Sequence, residues 1–290
     1  MPPLLTLHLV ILAWAFTAIL GKLITLPALD MVVWRTGLSA LGFVVLAGAM
    51  RNSLRVSGAD AAKLLGIGAL LGLHWVTFFL SGRLATASVS LAALPTLMIW
   101  CSLLEPLVNG TRHWNKVELI VGMIIVGAVW MIFTVEARYW VGFSTGLVSA
   151  MLAAFYAVAN KQLVSRFPFA VLCFYQMLGA CVAAWVLLPV LSEHTLPELP
   201  GLRDFGWLMV FAFGCTVLPY AGFIVVMRHL SIFTINVVYN LEPLYGIVLA
   251  ALVFGASEKM TPGFYAGAAI IIASVLIVPW WQNRRFSAAA

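Results

Sequence analysis

The sequence predicts an all-α integral membrane protein of ten transmembrane helices, arranged as two inverted five-helix repeats. Composition is the first reason. The 290 residues are 63% hydrophobic and 9% charged, with a mean hydropathy of +1.07, whereas a soluble domain carries about 25% charge. Too little polar surface exists to clothe a soluble core. Length is the second reason: apolar runs close to the roughly 20 residues that a helix needs to cross a bilayer recur along the chain. The third is an internal echo at half the chain length. In this class the net charge of +6 is no nucleic-acid signal, because basic residues on membrane proteins set orientation. Cys101, Cys173, Cys181 and Cys215 lie in apolar runs without metal-type spacing and read as packing residues. The N-terminus has no basic leader region and enters an apolar run at once, so no cleaved signal peptide is expected.

Glycine, proline and charged breaks divide the chain into spans at about 4–24, 30–50, 60–82, 87–108, 115–134, 141–163, 168–191, 204–228, 233–255 and 262–281. The connections are short, and the longest polar one is Ser192–Asp204. With a cytoplasmic N-terminus, the inner segments hold Arg51, Arg55, Lys63, Arg112, Lys116, Lys161, Arg166, Arg228, Arg284 and Arg285. The outer ends hold Lys22, Arg83, Arg138, Arg203 and Lys259. The twofold excess inside places both termini in the cytoplasm. That topology puts the sequon Asn109-Gly110-Thr111 on the wrong side for glycosylation. Asp30, Glu136, Glu193, Glu198, Asp204 and Glu258 fall outside, where acids weigh little in the orientation rule.

The echo runs from "RLATASVSLAAL" at Arg83 to "RHLSIFTINVVY" at Arg228, an offset of 145 residues. The same offset carries Gly122 onto Gly267, and Pro95 onto Asn240, close to Pro243. With a few residues of slippage "AFTAILGKL" meets "AFYAVANKQL", and Lys22 meets Lys161. The division is residues 1–136 and 137–290. Five spans per repeat is an odd number, so the second repeat is inverted, an architecture of transporters with the substrate site between the halves.

"WAFTAILGK", followed by Pro27 and "WRTGLSALGF", resembles the first two helices of the EamA-type branch of the drug/metabolite transporter superfamily. "YNLEPLYGIVLAALVFGASEKMTPGFYAGAAIIIAS" resembles the end of that family's second repeat, and "GLHWVTFF" the third helix of one bacterial subgroup. The resemblance runs in order over nearly the whole chain. It implies ten helices, two repeats, cytoplasmic termini and export or exchange of small metabolites. The expected location is the bacterial cytoplasmic (inner) membrane. Two departures stand out: the family's Gly-Glu after the ninth helix reads Gly255-Ala-Ser-Glu258 here, and the first repeat has Gly110-Thr111 with no Glu.

Glu242 leads the candidate site residues. A charge at the centre of a membrane helix costs about 2.5–3.5 kcal/mol on insertion scales and usually faces a cavity or a partner. Pro243 follows it and should open the helix there, freeing the carbonyl of Tyr239. The competing reading is a carboxyl that only hydrogen-bonds a neighbouring helix. Glu105-Pro106 repeats the pair but falls near a span end, and reads as interfacial. Arg35 lies five residues inside the second span and could grip a substrate carboxylate, snorkel outward or pair with Glu242. His74 lies mid-span beside Trp75. It could bind a ligand, carry a proton or tie two helices together. His8 has no such company.

Trp14, Trp75, Phe78, Phe79, Trp100, Tyr156, Tyr175, Tyr220, Tyr239 and Tyr245 lie within spans rather than only at the interfacial belts. Asn160, Gln176 and Asn240 are the polar groups that could converge among them. Each aromatic alone is more simply a packing residue. As a set they favour an aromatic, planar or amphipathic substrate held by stacking and cation–π contacts. Trp34, Trp140, Trp280 and Trp281 read as interface anchors. Gly68xxxGly72, Gly142xxxGly146 and Gly263xxxGly267 read as close helix packing.

The functional expectation is a secondary transporter of small organic metabolites, amino acids including aromatic ones first, working by alternating access. Glu242 or His74 would couple transport to protons. A small-molecule substrate and membrane lipids are the expected partners, with no nucleic acid, no cofactor and no metal, as a monomer or homodimer. A lipid or polyprenyl-carrier flippase is the alternative. A membrane-embedded enzyme ranks last, since the chain has no HExxH, GxSxG or paired catalytic carboxylates.

Overall fold

A computed structural model describes residues 2–109, 116–192, 194–227, 229–230, 235 and 238–287. Among these the chain is helical, with no strand. The helices are α1 (Pro3–Leu23), α2 (Ala28–Ala49), α3 (Gly58–Leu84), α4 (Ala87–Ala93), α5 (Leu97–Asn109), α6 (Lys116–Val135), α7 (Trp140–Lys161), α8 (Phe169–Leu191), α9 (Leu202–Met209), α10 (Leu218–Met227), α11 (Glu242–Phe254) and α12 (Pro262–Ser287). A tight 3₁₀ turn, Leu94–Thr96, joins α4 to α5, and a π-helical stretch, Val210–Val217, joins α9 to α10. Seven of the described helical stretches are long and apolar enough to cross a membrane, and the protein is an all-α, multi-pass membrane protein. The expectations on Arg112, Arg228, Glu193 and Gly110-Thr111 lie outside the described residues, as do those on the side chains of Glu105, Trp280 and Trp281.

Prolines and hydroxyls set the helix starts. Pro27 and Pro168 stand just before α2 and α8 in extended conformation, and Pro3 opens α1. A proline there loses nothing, since the first amides of a helix have no internal partner. The Ser57 side chain accepts from the Asp60 amide at 3.1 Å and donates to the Asp60 carboxylate at 2.7 Å, a capping arrangement. The Thr86 hydroxyl accepts from the Val89 amide and starts α4. Gly255, at φ +55°, ends α11 in the left-handed region that favours glycine.

The ninth span corrects the sequence reading. Glu242 is not mid-helix: it is the first residue of α11, after a turn at Asn240–Leu241. Pro243 therefore sits in a first turn, where its missing N–H is no loss. The chain is interrupted there rather than bent.

Small residues bring the two halves of the chain into backbone contact. A Cβ on Gly68 would strike the backbone of Gln176, and one on Gly179 the backbone of Leu65. A Cβ on Gly72 would come within 2.8 Å of Ala180 Cα. So α3 and α8 pack main chain against main chain, as small-residue faces allow in lipid. Gly142 and Gly146 seat α7 on Ala85 and Ala93, while Gly263 and Gly267 seat α12 on Val135 and Ile132 of α6. In addition α2 lies along α8, α3 along α7, and α1 along α10 and α11.

One end of the bundle is tied by acids. Among the described residues the buried acids are Asp30, Glu136, Asp204 and Glu258, and each accepts from a donor in the other half of the chain. Asp204 takes the Thr25 hydroxyl (2.6 Å) and amide. Asp30 takes the Glu198 amide at 2.8 Å and lies 3.0 Å from His194 Nε2. Glu136 takes the Thr261 amide at 2.8 Å. Glu258 takes the Lys22 ammonium at 2.6 Å and the amides of Ala87 and Ser88 at 2.9 Å each. Across the other end, the cross-half contacts among described side chains include His8 with the Tyr245 hydroxyl at 2.8 Å and an exposed pair, Arg166 and Asp60. The first is called the carboxylate end below.

Two predictions follow from packing and charge. Gly68→Val drives a side chain into the α8 backbone and costs at least the 1–3 kcal/mol typical of overpacking. Gly66→Ala meets no atom within 4 Å and leaves the protein intact. Thermal unfolding in detergent should separate the two variants. Glu258 lies outside the spans. Burial alone would raise its pKa, but the bonds from Lys22, Ser88 and Ala87 outweigh that and hold it below the ordinary carboxylate value. Its stabilisation is thus complete above the unfolded pKa of about 4.3 and is lost as pH falls through the lower folded value. The melting-temperature gap between the native protein and Glu258→Gln should be constant from pH 8 to about pH 5 and shrink below about pH 4.

Candidate functional site

Among the described residues, three departures from regular helix occur within the membrane-spanning part of the chain, and the candidate residues gather near two of them. Irregular backbone at membrane depth persists only where protein or a cavity satisfies it. The 3₁₀ turn at Leu94–Thr96 carries Pro95, and the interruption before α11 carries Asn240 and Glu242. These are the positions that the 145-residue offset relates. The π-helical stretch Val210–Val217 is the third; such turns recur at functional sites. Nothing in its sequence, "VFAFGCTV", announces it.

Arg35 lies beside the π-helical stretch. It is 3% exposed. Its guanidinium carbon sits 3.9 Å from the centroid of the Trp75 ring and 4.1 Å from that of Phe211, a cation held between two aromatic faces. Nε and Nη2 donate to the Thr216 hydroxyl at 3.2 and 3.1 Å. Thr216 donates in turn to the Phe211 carbonyl, five residues back. Nη1 is buried and takes no hydrogen bond among the described residues. No acid there pairs with this charge. The expected alternatives, snorkelling outward or pairing with Glu242, do not describe this geometry.

His74 is held by α7. Nδ1 lies 3.0 Å from the Ser149 carbonyl oxygen, and the Ser149 hydroxyl donates to the His74 carbonyl. The Ser149 hydroxyl also lies 2.8 Å from Nδ1, so Ser149 holds this side of the ring through both its carbonyl and its hydroxyl. Phe78 packs beside the imidazole, with centroids 6.1 Å apart.

A second group surrounds Tyr220 of α10. Trp14 meets Tyr220 at 5.4 Å, Phe223 at 5.3 Å and Tyr239 at 5.9 Å between centroids. The Trp14 indole N–H is buried without a partner among the described residues. Glu242 is close enough to Tyr220 and Tyr239 to interact electrostatically with both. Arg35 interacts with Tyr220 in the same way. Tyr156 lies close enough to Tyr220 for the two phenols to interact. From Tyr156 a closed polar triangle extends: Tyr156 donates to Gln176 at 3.1 Å, Gln176 to Asn160 at 2.6 Å, and Asn160 to Tyr156 at 3.3 Å.

The fold thus assembles most of the sequence candidates. Arg35 stacks on Trp75, and the neighbouring His74 packs with Phe78. Trp14, Tyr239 and Glu242 gather around Tyr220, and Asn160 and Gln176 approach this group through Tyr156. Asn240 precedes Glu242 at the chain interruption. Trp100 is half-buried on α5. Tyr175 stands apart: its hydroxyl donates to the Leu54 carbonyl and its ring packs with Leu64, Leu163 and Leu172. Tyr156 and Tyr220, two of the in-span aromatics, join the cluster. Ser149, Phe211 and Thr216 carry no signal in the sequence, because their places depend on tertiary neighbours. Chemically, the arrangement offers aromatic faces, one unpaired guanidinium, one carboxylate at a helix start and a neutral amide–phenol cluster.

Residues 140–280 match the profile of the EamA-like transporter family. A solved structure described only as "Crystal structure of protein" superposes with a TM-score of 0.66 at 16% identity. The alignment covers 97% of this chain and 98% of that one, and shows the fold alone. A search of curated proteins returns no significant match. The second half of the chain is thus similar to the EamA-like transporter family, part of the drug/metabolite transporter superfamily.

Proposed function

We propose that this membrane transporter carries small organic metabolites with an aromatic or amphipathic body, amino acids first, by alternating access around the Tyr220 cluster. The observation that carries the reading is the pairing, around one tyrosine, of aromatic walls with two opposite charges that have no ion-pair partner among the described residues, Arg35 and Glu242. Intramembrane charges of this kind mark substrate and ion pathways. Glu242 stands in the first turn of a discontinuous helix, the kind of element that forms such sites in transporters with internal repeats. A carboxylate substituent would meet Arg35, and an ammonium or a coupling proton would meet Glu242. His74 is the second proton-carrying candidate.

Packing supports the division into residues 1–136 and 137–290 as inverted repeats. Exchanging the halves carries the contacts of α1 with α10 and α11 onto those of α7 with α3 and α5, and keeps the pairs α2–α8 and α6–α12. One chain then holds both repeats, so a monomer suffices as the transport unit. The bias of Lys and Arg supports cytoplasmic termini in a bacterial inner membrane. The carboxylate end is then external, and the family resemblance favours an exporter or exchanger.

The first test is a thermal-shift panel of amino acids, nucleobases, amines, sugars and short lipids on the purified protein, followed by flux in proteoliposomes. A ligand that binds only the folded state raises its melting temperature. The expected result is a shift by large apolar or aromatic amino acids that Glu242→Gln removes, with loss or uncoupling of their flux while the variant stays folded. Full flux with an unchanged pH profile in Glu242→Gln takes that residue out of the mechanism. Flux of lipid alone replaces the metabolite reading with a flippase. Arg35→Ala should raise the apparent KM for a carboxylate substrate by about tenfold or more, the loss of a charge-assisted contact. A fall in protein yield alone makes Arg35 structural.

A further inference from the structure

Alternating access requires each end of the bundle to open in turn, and the carboxylate end holds one contact set that opening must break. Glu258 is 0% exposed. It follows α11 in the second half of the chain, yet its donors all belong to the first half: the Lys22 ammonium at the end of α1 and the amides of Ala87 and Ser88 at the start of α4. The two oxygens divide these donors, Oε1 taking Lys22 and Ala87 and Oε2 taking Ser88. Lys22 also sits 4.8 Å from the centroid of the Phe254 ring. Directly beneath lies a cavity of about 10 Å³ lined by Ala18, Gly21, Phe78, Phe79 and Ser90, room for about one water. Separating the halves strips a buried carboxylate of its donors until water replaces them.

The sequence has no equivalent in the other repeat. The 145-residue offset carries Glu258 onto His113, and no Asp or Glu occurs from Leu107 to Lys116. A device present in one repeat only makes the two closed states unequal in free energy.

We propose that Glu258 is a positioning residue for transport: it latches the carboxylate end shut through Lys22 and the first amides of α4, and so makes the state closed at that end the resting state. The proposal rests on the alternating-access reading but is tested without substrate. Ala18→Cys is placed in a protein whose four native cysteines are replaced by alanine, and a second protein keeps Cys173 alone, which is 2% exposed on α8. Both are made with and without Glu258→Gln, set in lipid nanodiscs and labelled with a polar maleimide. The expected result is labelling of Ala18→Cys about tenfold faster with Glu258→Gln, a population shift of about 1.4 kcal/mol, while Cys173 is unchanged. Lys22→Gln leaves the two amides on Glu258 and should give a smaller rise, about threefold. An unchanged rate at Ala18→Cys in both variants overturns the latch. Cys173 accelerating in step also overturns it, since packing rather than a gate is then lost. If Glu258→Gln yields no folded protein, the Lys22→Gln pair decides by the same two criteria. Absence of flux for every compound would remove the transporter reading and leave this result standing.

Discussion

Hydrocarbon cannot hydrogen-bond a peptide group, and this fold is organised around that constraint. Every long apolar run becomes a helix because a helix satisfies its own backbone. The same constraint makes exceptions informative. At Leu94–Thr96, Val210–Val217 and Asn240–Leu241 the regular ladder is altered, and local bonds take up part of the loss. The π-helical turn is tied by Thr216 to the Phe211 carbonyl. The start of α11 is spanned by the bond from the Tyr245 amide to the Leu241 carbonyl. The candidate side chains collect where the backbone has already left its most stable form.

Charge obeys a related rule. Ionised groups away from water persist when paired, hydrogen-bonded or placed over aromatic faces. The carboxylate end follows the first two courses, with each buried acid taking amide, hydroxyl, ammonium or imidazole partners from the opposite half. Arg35 follows the third, lying between Trp75 and Phe211 with one nitrogen unbonded. The contrast separates acids that join the halves from a cation that is only partly satisfied. That distinction comes from partners, since depth alone does not make it.

Glycine sets the distances on which the cluster depends. Main-chain contact between α3 and α8 at Gly68, Gly72 and Gly179 draws His74 and Trp75 to one side of the bundle and Gln176 to its neighbour. Larger residues at those positions would push the helices apart and disperse the polar triangle and the Arg35 slot together.

The sequence by itself determined the class, the number and approximate limits of most helices, the half-chain offset and the residues that could bear charge or bind aromatics. These follow from composition and from hydrophobic length, which are local properties. The packing role of the glycine pairs was legible for the same reason. Glu242 was legible as an intramembrane carboxylate, but not as the start of a helix, because a proline after it fits a bend and a helix start equally well. The place of Tyr175 near Leu54, the Arg35 slot and the Tyr220 hub were decided only by tertiary structure. Each depends on residues more than a hundred positions apart meeting at one point, and no spacing along the chain encodes that meeting. The buried acids show the limit most plainly. In sequence they were external charges of little weight; in the fold they join the two halves, because their donors come from the other side of the molecule.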